Sequence, residues 1–192
     1  MQRRRGRDLE EALLGAAWAE LTERGYAGFT LEAVAKRAGT STPVIYRRWA
    51  NKALMVEAAL LHESSTRVVD VPDTGTLRGD LIKMMQAANR SRIDLLVVTA
   101  VLLEDYFAER GSSPEQLRAQ VLAGQSSAAE AIIARAVDRG EIAASILKPH
   151  LTSLPFDLFR HEVLMTLKPV PDTAIERIID DITIPLLTRG DG

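Results

Sequence analysis

Between Thr30 and Lys52 the sequence gathers hydroxyls, a phenol and basic side chains at spacings that suit a polyanion. Thr30 and Ser41 each stand just before a short run of helical apolar spacing, where a hydroxyl and free backbone N–H groups bind phosphate. Thr42, Pro43, Tyr46 and Arg47 fall on the outer side of the second run, with Ile45 facing inward. Val44 has two readings: it packs inside, or it presents a methyl group to a thymine C5-methyl. The guanidinium of Arg47 has the fork geometry for guanine O6 and N7, a pairing worth roughly 1–3 kcal/mol of discrimination. Lys52 opens a further helix beside Asn51, another helix start suited to a phosphate.

The elements that must hold these groups are helical. Leu9, Leu13, Ala16, Ala17 and Leu21 recur at three- and four-residue steps, and Gly25 follows as a stop. After the loop Tyr26-Ala27-Gly28-Phe29, a second helix carries Leu31, Val34 and Ala35 on one face and ends at Gly39. Ser41 opens a brief third helix, with Pro43 in its first turn where a missing N–H costs nothing, and Val44 and Ile45 continue it to Trp49. Asn51 caps a fourth, running through Leu54, Ala58 and Leu61 towards Val69. Two short helices separated by Ala38-Gly39-Thr40-Ser41, packed with the first, make a helix-turn-helix whose last helix enters the major groove.

Charge agrees with this. Residues 1–52 hold ten Lys or Arg against six Asp or Glu, whereas the rest holds 14 against 20. A basic module joined to an acidic remainder points to a polyanion partner for the first part only. The arm Arg3-Arg4-Arg5-Gly6-Arg7 has two readings, a solubilising tail or a basic arm that reaches into the minor groove.

Beyond the break at Val71-Pro72-Asp73-Thr74-Gly75 the periodicity predicts helices at about 76–90, 93–109, 114–139, 148–166 and 173–188. Pro155 should kink its helix or shift the start. No segment alternates with the two-residue period of a strand, so the expected fold is all-α with about nine helices. Residues 1–52 form the helix-turn-helix domain, the fourth helix (about 52–70) is a connector, and 53–192 belong to an all-helical second domain.

Several classes are excluded. Cysteine is absent, which removes disulfide and thiol chemistry and suits a reducing cytoplasm. The basic residues after Met1 lead to Asp8, Glu10 and Glu11 instead of an apolar run, so they are not a signal peptide. The apolar stretch Leu95 to Leu103 is too short for a bilayer, which needs ~20 residues, and no membrane association is expected. No nucleophile–base set, phosphate-cradling glycine loop or metal spacing is present, so neither catalysis nor a cofactor is expected. His62, His150 and His161 are far apart, and the adjacent pairs Glu104-Asp105 and Asp180-Asp181 diverge on a helix.

The run Glu23-Arg24-Gly25-Tyr26, then Thr30-Leu31-Glu32-Ala33-Val34-Ala35-Lys36-Arg37-Ala38-Gly39, resembles the N-terminal domain of the TetR family. Thr40-Ser41-Thr42-Pro43-Val44-Ile45-Tyr46-Arg47-Arg48-Trp49-Ala50-Asn51-Lys52-Ala53-Leu54 continues it in register, so the likeness covers about residues 9–60. It implies a homodimeric repressor on double-stranded operator DNA, released by a small molecule, with Tyr46 and Lys52 clamping the DNA backbone. Two positions depart from the family pattern. Pro43 stands where Gly is frequent, and Arg48-Trp49 stands where His-Phe is frequent; Arg48 puts a permanent charge where that histidine meets phosphate.

The likeness extends loosely to the second half through Asp138-Arg139-Gly140-Glu141-Ile142 and a final amphipathic helix. It implies that the last two helices pair with their copies, with Leu151, Leu154, Leu158, Val163, Ile175, Ile178, Ile179, Ile182 and Leu186 as the apolar faces. A small apolar or amphipathic effector would sit among the middle helices. Met84, Met85, Tyr106, Phe107, Phe156 and Phe159 are candidate lining, with His161 beside them, because Met and aromatic side chains line adaptable pockets. The other reading of each is ordinary core packing. For the whole half, the alternative is a domain that binds a protein or nothing.

Overall fold

The computed structural model describes residues 6–67, 70–91, 93–121, 126–146 and 148–188. Arg3, Arg4 and Arg5 lie outside them. The described residues contain no β-strand and fold into helices. In order these are α1 (Arg7–Gly28), α2 (Leu31–Ala38), α3 (Thr42–Tyr46), α4 (Lys52–Thr66), α5 (Leu77–Ser91), α6 (Ile93–Val101), α7 (Glu104–Arg110), α8 (Pro114–Val121), α9 (Ser126–Asp138) and α10 (Pro149–Thr166). The last helix comprises α11 (Asp172–Arg177), a π-helical turn (Ile178–Thr183) and α12 (Ile184–Thr188). The chain forms two compact units, Met1–Arg67 with Val97–Val121, and Val68–Leu96 with Leu122–Gly192.

In the first unit α1 packs on α2 and α4, α7 on α1 and α4, and α8 on α4. Leu13, Ala17, Leu21, Phe29, Val34, Ile45, Met55, Val56 and Leu60 are sealed from solvent. Gly25 breaks α1, as its position in the periodicity predicts: its φ of 64° is a left-handed conformation that glycine adopts without a Cβ clash. The helix resumes for one turn, and Tyr26 and Phe29 are thereby turned inward. Thr30 caps α2, its Oγ1 accepting from the amide of Ala33 at 3.2 Å, and Gly39 ends α2 at φ 67°. Asn51 caps α4, its Oδ1 accepting from the amide of Leu54 at 2.9 Å. Each satisfies an amide that a helix start leaves unpaired.

In the second unit α5 packs on α9 and α11, and α10 on the π-helical turn. Asp80, wholly buried on α5, accepts from the backbone amide and hydroxyl of Thr74 and lies 3.4 Å from Arg139 on the segment after α9. The same carboxylate thus ties the break at residues 72–76 to α5. The π-turn has a local cause. Pro185 has no N–H to give to the carbonyl of Asp181, so the i→i−4 ladder cannot run through, and the helix widens before it. The Thr183 hydroxyl fills the gap, donating to the carbonyl of Ile178 at 2.8 Å.

Two expected elements differ, and a third crosses residues outside those described. The helix expected over 93–109 is two, because the chain turns at Leu102-Leu103: the Leu102 carbonyl accepts from the Tyr26 amide at 3.0 Å and Leu103 is fully buried. The stretch 114–139 is described as α8 and α9, with 122–125 outside the described residues. The third helix is shorter than expected, ending at Tyr46 instead of Trp49. Helix α10 starts at Pro149 and continues through Pro155 to Thr166.

Candidate nucleic-acid interface

The helix-turn-helix is built so that one face of α3 must meet solvent. Ile45 is fully buried and Trp49 nearly so, and together they pin the short helix and the turn after it against the unit's core. Pro43, Tyr46, Arg47 and Arg48 are consequently exposed, Tyr46 to 52%. Thr42 and Val44 are half-buried, which leaves both readings of Val44 open. The guanidinium groups of Arg47 and Arg48 fold back on their own helix, donating to the carbonyls of Pro43 at 3.3 Å and Val44 at 3.4 Å. These long contacts are weak and exposed, so a stronger acceptor displaces them at little cost.

Thr30 and Ser41 sit at the helix starts expected of them. The Thr30 hydroxyl is engaged in capping, while Ser41 makes no capping hydrogen bond and is exposed. Lys52 is the first residue of α4 and half-buried, its Nζ lying over the face of the Tyr26 ring at 4.0 Å from the centroid. The turn between α2 and α3 is steadied from outside by an ionic cluster. Arg37 donates to both oxygens of Glu23 on α1 at 2.9 and 2.5 Å, and to Glu20 at 3.2 Å. The hydrogen bonds from Arg37 hold the Glu23 carboxyl below its ordinary value of 4.5.

Two family profiles match the chain: one described as bacterial regulatory proteins of the tetR family covers residues 13–59, and one described as tetracyclin repressor-like, C-terminal domain, covers 71–182. An HTH-type transcriptional regulator of Mycobacterium tuberculosis is 32% identical over 95% of this chain and 90% of its own length. The chain belongs to the TetR family of transcriptional regulators. A protein of Mycobacteroides abscessus named DNA-binding transcriptional repressor TetR is 30% identical over 97% of each chain. Among solved structures, the transcriptional regulator FadR of Bacillus subtilis in complex with stearoyl-CoA shares the fold at a TM-score of 0.69 and 18% identity, over 90% of this chain and 98% of that one. The chain is therefore a TetR-type transcriptional regulator whose DNA-binding domain is the helix-turn-helix described above.

The second-half candidates divide by burial and by unit. Tyr106 and Phe107 belong to the first unit, where Tyr106 is buried and meets Tyr26 edge-to-face at 5.4 Å. A half-open cleft of about 400 Å³ in that unit is lined by Tyr106, Glu57, Arg110, Ser112, Gln116 and Leu117. In the second unit Met84, Met85 and Phe159 are buried, Phe156 is half-buried and His161 is exposed. Of the apolar faces, Val163, Ile175, Ile178 and Ile179 are buried within the chain itself. Leu151, Leu154 and Leu158 are half-buried, and Ile182 and Leu186 are exposed. Met165, in the last turn of α10, and Leu167, just after it, are exposed to 67% and 51%.

The sequence reading missed Glu109, Glu57 and Arg110, which surround the Tyr26 and Tyr106 rings. Glu109 Oε2 accepts from the Tyr26 hydroxyl at 2.6 Å, and Arg110 donates to Glu57 at 3.0 Å. Only the Gly-Tyr pair hinted at this cluster; Glu109 lies 83 residues from Tyr26, beyond any periodicity. Among the described residues no group of three or more His, Asp and Glu side chains could hold a metal ion. No described helix is long and apolar enough to cross a membrane.

Proposed function

We propose that this regulator is a repressor that binds a palindromic operator as a homodimer in the cytoplasm and leaves it when a small apolar or amphipathic molecule binds. The observation that carries the DNA half is α3: five residues long, anchored by a sealed Ile45, with Tyr46, Arg47 and Arg48 turned outward. In this reading Arg47 reads guanine; Tyr46, Arg48 and Lys52 hold phosphates; Thr42, Pro43 and Val44 touch base edges; and Thr30 and Ser41 support backbone contacts. The arm at Arg3, Arg4 and Arg5 adds charge in the minor groove. Residues 1–52 with α4 as connector are the reading head, and the remainder senses and pairs.

Pairing has a physical motive, since one short helix meets few bases, and two spaced roughly 34–36 Å apart read a palindrome. The exposed Ile182 and Leu186 on the last helix support it. Repression is supported by the Mycobacteroides abscessus relative, which is named a repressor, and an amphipathic effector by the stearoyl-CoA held in the Bacillus structure. The experiment is selection of bound sequences from random DNA by the full-length protein, repeated with Arg47→Ala. The proposal expects a palindromic consensus, and relaxed preference at one base pair in each half-site for the variant. A uniform loss at every position moves Arg47 to the phosphate contacts, and a consensus without a repeat ends the homodimer reading. For the effector, a thermal-shift screen with acyl and aromatic metabolites should raise Tm by mass action, and a flat response favours a protein-binding or ligand-free domain.

A further inference from the structure

The Lys52 ammonium rests on an aromatic face whose position is fixed from several directions. Tyr26 follows the left-handed Gly25 and is 2% exposed. Its backbone amide donates to Leu102, its hydroxyl donates to Glu109 at 2.6 Å, and its ring meets the edge or face of Tyr106 at an interplanar angle of 78°. Burial first, and then the hydrogen bond to the Glu109 carboxylate, raise the pKa of the phenol, so it is a neutral donor throughout the physiological range. All these groups belong to the first unit.

A lysine at a helix start ordinarily samples many rotamers, and fixing such a side chain on binding costs conformational entropy. A carboxylate partner would order it too, but would cancel the charge that a phosphate needs. An aromatic face orders the ammonium through its quadrupole and leaves the formal charge intact. Among the described residues no carboxylate lies within ion-pair distance of Lys52, and the ring is the partner it has.

We propose that Tyr26, held in place by Glu109, is a positioning residue for DNA binding: its ring pre-orders the Lys52 ammonium at the start of α4, ready for a backbone phosphate. This rests on the reading that Lys52 contacts phosphate. The role differs from core packing because it acts only through Lys52.

The test is operator affinity of the full-length protein, using the selected consensus duplex, across a range of salt. Lys52→Ala should lower the slope of log affinity against log salt by about 1 for each lost phosphate contact. Tyr26→Leu should weaken binding about 3- to 10-fold in the native background and flatten the slope, yet add nothing to Lys52→Ala. Tyr26→Phe, which keeps the ring and gives up only the bond to Glu109, should lose no more than about 2- to 3-fold. In the free protein the Lys52 ε-methylene protons should resonate upfield through the ring current, and the shift should vanish in Tyr26→Leu. If Tyr26→Leu does not fold, Glu109→Gln serves: a 2- to 3-fold loss is expected with Lys52 present and none without it. Additive losses, or Tyr26→Phe as damaging as Tyr26→Leu, overturn the proposal while leaving Lys52 on phosphate. A Lys52→Ala variant with native affinity and slope overturns the phosphate reading itself, and the proposal with it.

Discussion

The side-chain amide of Asn89 exchanges two hydrogen bonds with the backbone of Val170, donating from Nδ2 to the carbonyl at 2.8 Å and accepting from the amide at 2.9 Å. It imitates a rung of a β-ladder between the end of α5 and the loop Lys168-Pro169-Val170-Pro171. Prolines flank Val170 and have no N–H of their own, so the loop cannot pair its backbone regularly. Val170 itself is 3% exposed, which makes both of its polar groups costly to leave without a partner.

Asn89→Ala should therefore destabilise the protein by about 2–3 kcal/mol, since two buried backbone groups lose their partners together. Asn89→Asp retains the acceptor and loses the donor, and should fall between. Urea unfolding midpoints for the three proteins check the order; an alanine variant within 0.5 kcal/mol of the native protein, about the size of an ordinary surface substitution, would sink the claim.

Asn51 gives a second prediction, in which stability and DNA binding move together. Its side chain caps α4 through the Leu54 amide, next to Lys52. Asn51→Ala should cost about 1 kcal/mol of stability and fray the turn that presents Lys52. Asn51→Asp or Asn51→Ser should recover the stability, because either side chain caps as well. Aspartate places a negative charge where phosphate is expected, so Asn51→Asp should bind operator more weakly than Asn51→Ser at equal stability. Equal affinity of these two would remove the phosphate from this helix start.

Alkaline pH supplies a third. Burial chiefly raises the pKa of both Tyr26 and Tyr106 above the ordinary phenol value of 10.0, aided for Tyr26 by the Glu109 carboxylate. The folded state therefore holds these protons more tightly than the unfolded chain does. The contribution to stability is complete below pH 10 and is lost as pH rises from there through the folded-state values. Absorbance at 295 nm should show two of the three tyrosines ionising late, and urea midpoints should fall above pH 10. In Tyr26→Phe the late fraction should shrink by one phenol and the fall should be shallower; an unchanged titration curve would place the late phenols elsewhere.

The two halves were unequally legible in the sequence, for a physical reason. Residues 30–52 use local chemistry: the Thr30 cap, the left-handed Gly39 and the Asn51 cap are each decided within four residues, so their types and spacing declare them. The inward turn of Ile45 follows from helical period alone. Tyr26 with Glu109, Asp80 with Arg139, and Asn89 with Val170 depend on which helices meet, and composition carries no trace of that. The interface candidates Val163, Ile175 and Ile179 show the same limit, because an apolar stripe has the same pattern whether its own chain or a second copy covers it. The π-turn was readable in principle, since Pro185 sits four residues after the carbonyl it obstructs.

Leu167 offers the last prediction, one in which a substitution strengthens the fold. It ends α10 with φ 51°, the one non-glycine residue at positive φ among those described, and its amide reaches back to the carbonyl of Val163 at 2.7 Å. A Cβ in this conformation crowds the following carbonyl, at a cost of roughly 1–2 kcal/mol for an L-residue. Glycine removes the crowding but is more disordered when unfolded, which returns part of the gain. With the leucine side chain half exposed, little packing is lost within the chain. Leu167→Gly should raise the stability of the monomeric fold by up to about 1 kcal/mol, whereas Leu167→Ala, which keeps the Cβ, should not. Denaturation over a range of protein concentration separates this from pairing. If Leu167 also lies in the contact between copies, glycine will lower the concentration-dependent part of the stability while raising the rest. A loss that does not depend on concentration would mean that the leucine side chain packs within its own chain more firmly than its exposure indicates.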